Sequence, residues 1–156
     1  MTHEVHMLRA IALSLEMMRS GKGGPFGAVV VRDGRIVAEG FNQVTSTNDP
    51  TAHAEVVAIR RACQALGVFD LTGCDIYTSC EPCPMCLSAI YWARLDRIFY
   101  ANDRTDAATI GFRDDLLYRE IPLPLDQRSI PTQRLLAAEG FEAFAEWASK
   151  PDRIEY

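Results

Sequence analysis

Four residues in two short segments, His53 with Glu55 and Cys83 with Cys86, have the types and spacing of a catalytic metal centre. An imidazole and two thiolates are zinc ligands. Three protein ligands on a tetrahedral ion leave a fourth position for water, which marks a catalytic rather than a structural site. Glu55 stands two residues from the histidine, close enough to reach that water without coordinating the metal. Zinc lowers the pKa of a bound water to about 7 from about 16, so a carboxylate beside it can take the proton at neutral pH. The acid so formed can protonate a substrate nitrogen and, in a later transfer, the leaving group. The expected centre is one Zn2+ per chain on His53, Cys83 and Cys86, with Glu55 as proton carrier.

Two other arrangements compete. Cys80 could join Cys83, Cys86 and His53 as a closed structural zinc site, which would make the chain an interaction module and leave Glu55 without a use. Cys80 precedes Glu81-Pro82, however, and a residue before proline is pushed toward extended geometry, which takes Cys80 off the helical face shared by Cys83 and Cys86. In the blander arrangement His53 is a core histidine among ordinary buried cysteines, and two metal half-sites of matching character go unexplained.

The elements that must position these residues can be read from hydrophobic period and turn chemistry. Leu8, Ile11, Ala12, Leu15 and Met18 recur at helical spacing over residues 3–20 and predict an amphipathic helix with that face on the core. Met17 and Met18 read as core fillers. The Gly-rich run Gly21 to Pro25 stops this helix, and Phe26–Val31 and Ile36–Phe41 read as a hairpin joined at Asp33-Gly34. Asp49 or Thr51 is expected to cap a helix over 52–66, with Val56, Ile59, Ala62 and Cys63 on its apolar face. Residues 74–79 predict a third strand. A helix starts at Pro82 or Cys83 and runs to about Ala93, and 96–101 gives a fourth strand. Strands alternating with helices imply crossovers and at least partly parallel pairing, an α/β architecture. Residues 102–115 read as a loop or short helix, and 121–131, with three prolines, as an extended arm. Phe141, Phe144 and Ala148 mark a last helix, with Gly140 dividing it from 133–139.

Bulk properties narrow the function classes. The chain has 156 residues, the size of one domain that buries roughly two-thirds of its unfolded surface. A net charge of −5, with no basic run longer than Arg60-Arg61, speaks against nucleic acid as partner and for a small molecule. Five cysteines, three of them within seven residues, suit reduced thiols and metal better than disulfides. No stretch is long and apolar enough to span a bilayer, and Arg9 and Glu16 interrupt the apolar positions a signal peptide would need. The expectation is a cytoplasmic protein that contacts no membrane.

Pro50-Thr51-Ala52-His53-Ala54-Glu55 and Ser79-Cys80-Glu81-Pro82-Cys83-Pro84-Met85-Cys86 resemble the cytidine and deoxycytidylate deaminase superfamily. Gly24-Pro25-Phe26-Gly27-Ala28, Ala89-Ile90-Tyr91-Trp92-Ala93-Arg94, Thr105-Asp106-Ala107-Ala108 and the terminal Glu155-Tyr156 resemble, more closely, the bacterial guanine deaminases. The resemblance runs nearly end to end. It implies a three-layer α/β/α sandwich with a central mixed β-sheet, and hydrolysis of guanine to xanthine and ammonia. Carried over by position, His53, Cys83 and Cys86 bind zinc, Glu55 shuttles protons, Asn42 and Asp114 hydrogen-bond the base, and Phe26 lies against its face. Each has a plainer alternative: Asn42 a turn residue, Phe26 core, Asp114 a cap for 116–120; Trp92, on the helix of the two cysteines, reads as core rather than as a pocket residue. Within the superfamily the runner-up is a tRNA adenosine deaminase, against which the acidic charge counts, followed by a cytosine or nucleoside deaminase. Residues 1–156 are expected to form a single deaminase domain whose arm and helix, about 121–156, are exchanged in a homodimer. Tyr156 then completes a pocket, that of the partner chain, since an aromatic final residue has little use in a solvated tail.

Overall fold

A computed structural model of the chain describes residues 2–156 and divides it into two compact units, Met1–Asp114 and Asp115–Tyr156. In the first unit α1 (His3–Arg19) leads into the hairpin of β1 (Gly27–Arg32) and β2 (Arg35–Phe41). There follow the short α2 (Val44–Thr47), α3 (Ala54–Leu66), β3 (Cys74–Cys80), α4 (Pro84–Trp92), β4 (Arg97–Asn102) and α5 (Arg104–Thr109). The strands form one sheet in the order β2-β1-β3-β4. β1 is antiparallel to β2 and β3, while β3 and β4, joined through α4, are parallel.

Successive side chains of a strand point to opposite faces, and β1 shows this directly. Ala28 and Val30 pack with Ala54, Ala58 and Ala62 of α3 and Ile90 of α4, whereas Val29 and Val31 pack with Ala10 and Leu13 of α1 and with Tyr77. The sheet is therefore covered by helices on both faces, the three layers that the motifs implied. Its hairpin turns at Asp33 and Gly34, both with positive φ (49° and 71°), as a two-residue loop of Asp-Gly requires.

Four sequence expectations are corrected. The core-facing side of α1 is His6, Ala10, Leu13 and Ser14, not the Leu8–Ile11–Leu15–Met18 stripe, and Leu8 is 64% exposed. The reason is the closeness of approach: a Cβ added at Gly27 would lie 2.3 Å from Ala10 O and 2.8 Å from Ser14 N, so only a small-residue face fits against β1. Neither Asp49 nor Thr51 caps α3. Asp49 Oδ1 accepts from the Thr51 N–H and hydroxyl in a local turn, and His53 occupies the N-cap. Gly140 does not divide the last helix but lies inside α7 (Ala137–Ser149), its N–H bonded to Leu136 O at 2.9 Å. A glycine there costs roughly 1 kcal/mol of helix propensity, which the flanking Ala137, Ala138 and Glu139 offset. Trp92, expected in the core, is exposed.

The second unit contains α6 (Asp115–Glu120), a 3-10 turn at Leu125–Gln127 and α7. Glu120 Oε2 accepts from Ser129 N and Oγ, and Arg128 donates to the carbonyls of Ile121 and Leu123, which folds 120–129 back on itself. In α7, Phe141, Phe144 and Trp147 are all exposed, Phe144 to 71%.

Candidate metal centre and base pocket

Both ligand segments enter the site in the same way. His53 is the N-cap of α3 and Cys83 the N-cap of α4, each with extended backbone (ψ 156° and 168°) and neither using its side chain as a cap. Their side chains are thereby turned out of their own helices. For Cys83 the extended backbone is also what Pro84, the next residue, demands. Glu55 and Cys86 follow in the first turns. The height of α3 on the sheet is set at Gly40, where a Cβ would lie 2.2 Å from Ala54 O and 2.5 Å from Ala58 N.

His53 Nδ1 lies 3.6 Å from Cys83 Sγ and 3.5 Å from Cys86 Sγ, and the three ligand atoms all fall within 4.8 Å of one another. Tetrahedral zinc with Zn–S of about 2.3 Å and Zn–N of about 2.0 Å places sulfur and nitrogen about 3.5 Å apart, so the donor set and its spacing fit zinc. The hydrogen bond from Cys86 holds the Cys83 thiol far below the ordinary range, and the same contact raises Cys86. Cys80 does not join the cluster. Its Sγ turns to Asp103 O at 3.8 Å, and burial pushes its thiol up to about 11. A closed Cys₃His site is therefore not what the chain builds.

Glu55 is buried beside the ligands, in hydrogen-bonding contact with Cys86, and Thr78 Oγ1 lies 3.3 Å from its Oε1. Burial raises its carboxyl above the usual range. Asn42 directly follows β2, with its N–H on Phe26 O at 3.1 Å, and the next residue, Gln43, donates to Ala52 O at 2.9 Å, one position before His53. Phe26 is half-buried and meets Phe112 edge to face at 4.8 Å. Asp114 follows α5. It is half-buried, burial raises its carboxyl, and Cys83 and Glu81 act on it electrostatically in the same direction. These seven residues share one end of the first unit. Tyr156 ends the second unit, where its side chain is exposed.

Sequence reasoning missed the groups that hold this end together. Glu81 Oε2 accepts the Arg104 N–H at 3.0 Å and Glu81 N–H donates to Asn102 O, tying the start of α5 to the cysteine loop. Ser79 Oγ accepts from Gly27 N–H at 3.0 Å. The capping box of Asp103 and Asp106 on α5 was the one legible signal, a pair of acids three apart at a helix start.

Residues 1–102 match the family described as the cytidine and deoxycytidylate deaminase zinc-binding region. Over all 156 residues, and the whole of both chains, the sequence is 53% identical to guanine deaminase of Bacillus subtilis (strain 168). The X-ray structure of guanine deaminase from Bacillus subtilis superposes with a TM-score of 0.97 at 52% identity, covering 100% of this chain and 99% of that one. The tRNA-specific adenosine deaminase of Agrobacterium fabrum (strain C58 / ATCC 33970) is 51% identical over 76 residues, 49% of this chain and 50% of that one.

Proposed function

This chain belongs to the cytidine and deoxycytidylate deaminase family, and we propose that it hydrolyses guanine to xanthine and ammonia, a step of purine catabolism and salvage. The observation that carries the reaction type is the three-ligand set with a buried carboxyl, Glu55, beside it and outside it. The substrate rests on full-length similarity. The match to guanine deaminase continues through residues 103–156, whereas the match to the tRNA enzyme of Agrobacterium spans about half the chain.

His53, Cys83 and Cys86 would hold zinc, which would supply the Lewis acidity that makes water a nucleophile at neutral pH. Glu55 takes a proton from the attacking water as the water oxygen bonds to C2 of guanine. The carboxylic acid gives that proton to the adjoining ring nitrogen, takes up the proton of the new C2 hydroxyl and passes it to the amine, so that the C2–N bond breaks, the C2 carbonyl forms and ammonia departs. Asp114 accepts from the N–H groups of guanine, Asn42 hydrogen-bonds the same ring, and the Phe26 ring lies against its face. Adenine offers an acceptor where guanine offers a donor, and would leave Asp114 unpaired. Sites built on such hydrogen bonds reject the wrong partner by about 10⁴–10⁵.

The chain acts as a homodimer that exchanges the arm and helix of about 121–156, so that Tyr156 enters the partner's pocket and shields its outer edge from water. The support is α7, whose Phe141, Phe144 and Trp147 are exposed, since an isolated helix of this length is marginal without burial of its apolar face. We place the enzyme in the cytoplasm, where its five unbridged cysteines stay reduced. Ammonia release from guanine, guanosine, adenine, cytosine and cytidine, measured in parallel, tests the substrate: turnover of guanine is expected, and equal rates on adenine and guanine remove the reading. Exchange is tested by co-refolding Glu55→Gln with a chain that lacks residues 153–156. Activity returns if the tail acts across the interface, and stays absent in demonstrable mixed dimers if it does not.

A further inference from the structure

Gly23 carries no side chain for a reason that its own conformation does not supply, since its φ lies outside the left-handed region. A Cβ there would fall 1.6 Å from Asn42 O and 2.7 Å from Asn42 C, with Asn42 Oδ1 at 3.4 Å. The first two are backbone atoms, so no change of rotamer relieves the clash. One residue on, a Cβ at Gly24 would meet only ring atoms of Phe26 and Phe112 at 3.5–3.6 Å, ordinary contact. The two neighbouring glycines thus differ sharply, and the strict one is packed on Asn42.

Asn42 is 7% exposed, and its side-chain oxygen is already committed. Oδ1 accepts from Val44 N–H at 3.2 Å and Gly24 N–H at 3.4 Å. An amide nitrogen accepts from neither, so two converging backbone donors fix which end of the amide is oxygen. The NH2 end is what Asn42 has left to offer. The backbone around residues 23–24 and 42–44 therefore dictates a donor at this position, and Asp114 supplies an acceptor. A guanine ring, with carbonyl and ring-nitrogen acceptors on one side and N–H donors on the other, needs both.

We propose that Gly23 is a positioning residue for the base: by packing its bare backbone on Asn42 it seats the amide with its NH2 group as donor to a guanine acceptor. The proposal rests on Asn42 being a base-binding residue, and the experiment separates the two. In the zinc-loaded enzyme Gly23→Ala lowers Tm, since the clashing backbone must shift, and raises KM for guanine about tenfold or more, the loss of one well-made hydrogen bond, with kcat and zinc content little changed. Gly24→Ala leaves KM within about threefold. In the Asn42→Ala background, Gly23→Ala has no further effect on KM, because the group it positions is gone. Asn42→Asp keeps both backbone hydrogen bonds and exchanges the NH2 donor for an acceptor; it retains zinc and weakens guanine binding by at least the same factor. A wild-type KM in Gly23→Ala, an undiminished effect on top of Asn42→Ala, or loss of zinc and folding together in Gly23→Ala overturns the assignment of Gly23. Guanine binding unimpaired in Asn42→Asp overturns the orientation of the amide. An unchanged KM in Asn42→Ala alone would instead remove Asn42 from the base-binding set.

Discussion

The two faces of the sheet each bury a titratable side chain, and only one of them is a site. On the α1 face His6 is 2% exposed, its ring centroid 5.2 Å from that of Tyr77 and its Nδ1 without a hydrogen-bond partner among the described residues. On the α3 face Glu55 is 6% exposed, beside Thr78 and Cys86. Tyr77 and Thr78 are successive residues of β3, so one strand separates the two environments. Burial is the largest influence on both groups and disfavours the charged form of each, lowering His6 and raising Glu55. Around His6 stand aromatic neighbours: His3 Nδ1 meets the Tyr77 hydroxyl at 2.7 Å, and Tyr77 stacks on Phe99 at 4.7 Å. Around Glu55 stand three metal ligands. Burial perturbs a side chain on either face, but convergence of complementary groups is what makes chemistry.

The largest expected effect breaks the comparison on the catalytic side. Glu55→Gln preserves size and zinc but cannot accept the proton. General acid–base steps are worth roughly 10²–10⁴-fold, and kcat should fall at least that far with zinc content unchanged by atomic absorption. Near-normal turnover would assign the proton transfer to another group. Asp114→Ala comes next. Losing one charge-assisted hydrogen bond to guanine should cost about 10- to 100-fold in kcat/KM and leave zinc bound.

A matched pair of glycines then sharpens the contrast between the faces. A Cβ at Gly27 would strike Ala10 O of α1, and a Cβ at Gly40 would strike Ala54 O of α3, at 2.3 and 2.2 Å. Each Gly→Ala variant should lose about 1–3 kcal/mol of stability in urea unfolding. Only Gly40→Ala should also bind zinc more weakly, since α3 carries His53 at its N-cap. Equal zinc affinities in the two variants would show that the height of α3 on the sheet does not govern the centre.

The smallest effect is on His6. Its folded-state pKa is lowered, so the unfolded chain takes up a proton first as pH falls. Its contribution to stability is full above the unfolded value, about 6.5, and is lost progressively below it. His6→Leu removes the unpartnered nitrogen. It should gain about 1 kcal/mol, or about 2–4 °C in Tm, flatten Tm between pH 7 and 5, and leave turnover unchanged. A Tm profile as steep as the parent's would place the acid sensitivity elsewhere.

What the sequence settled by itself is local. His53 with Glu55, and Cys83 with Cys86, sit two and three residues apart, and at helix starts such spacing dictates which side chains can converge. Asp33-Gly34 selects its turn because both positions take positive φ. The alternation of strand and helix patterns gave the layers for the same reason, since short-range period is a property of the chain. Tertiary structure decided whatever depends on how closely backbones approach. The stripe Leu8–Ile11–Leu15–Met18 has helical period, yet the neighbouring face with Ala10 and Ser14 is the one that fits over Gly27. Period shows that a helix has an apolar side; the space left by a glycine on the facing strand shows which side is used. Cys80 has the chemistry of a ligand and is turned to Asp103 by the end of β3, and Gly23 reads as a linker residue until Asn42 is packed on it. Those contacts join residues far apart in the chain, and their distances are set by packing density rather than by any pattern along it.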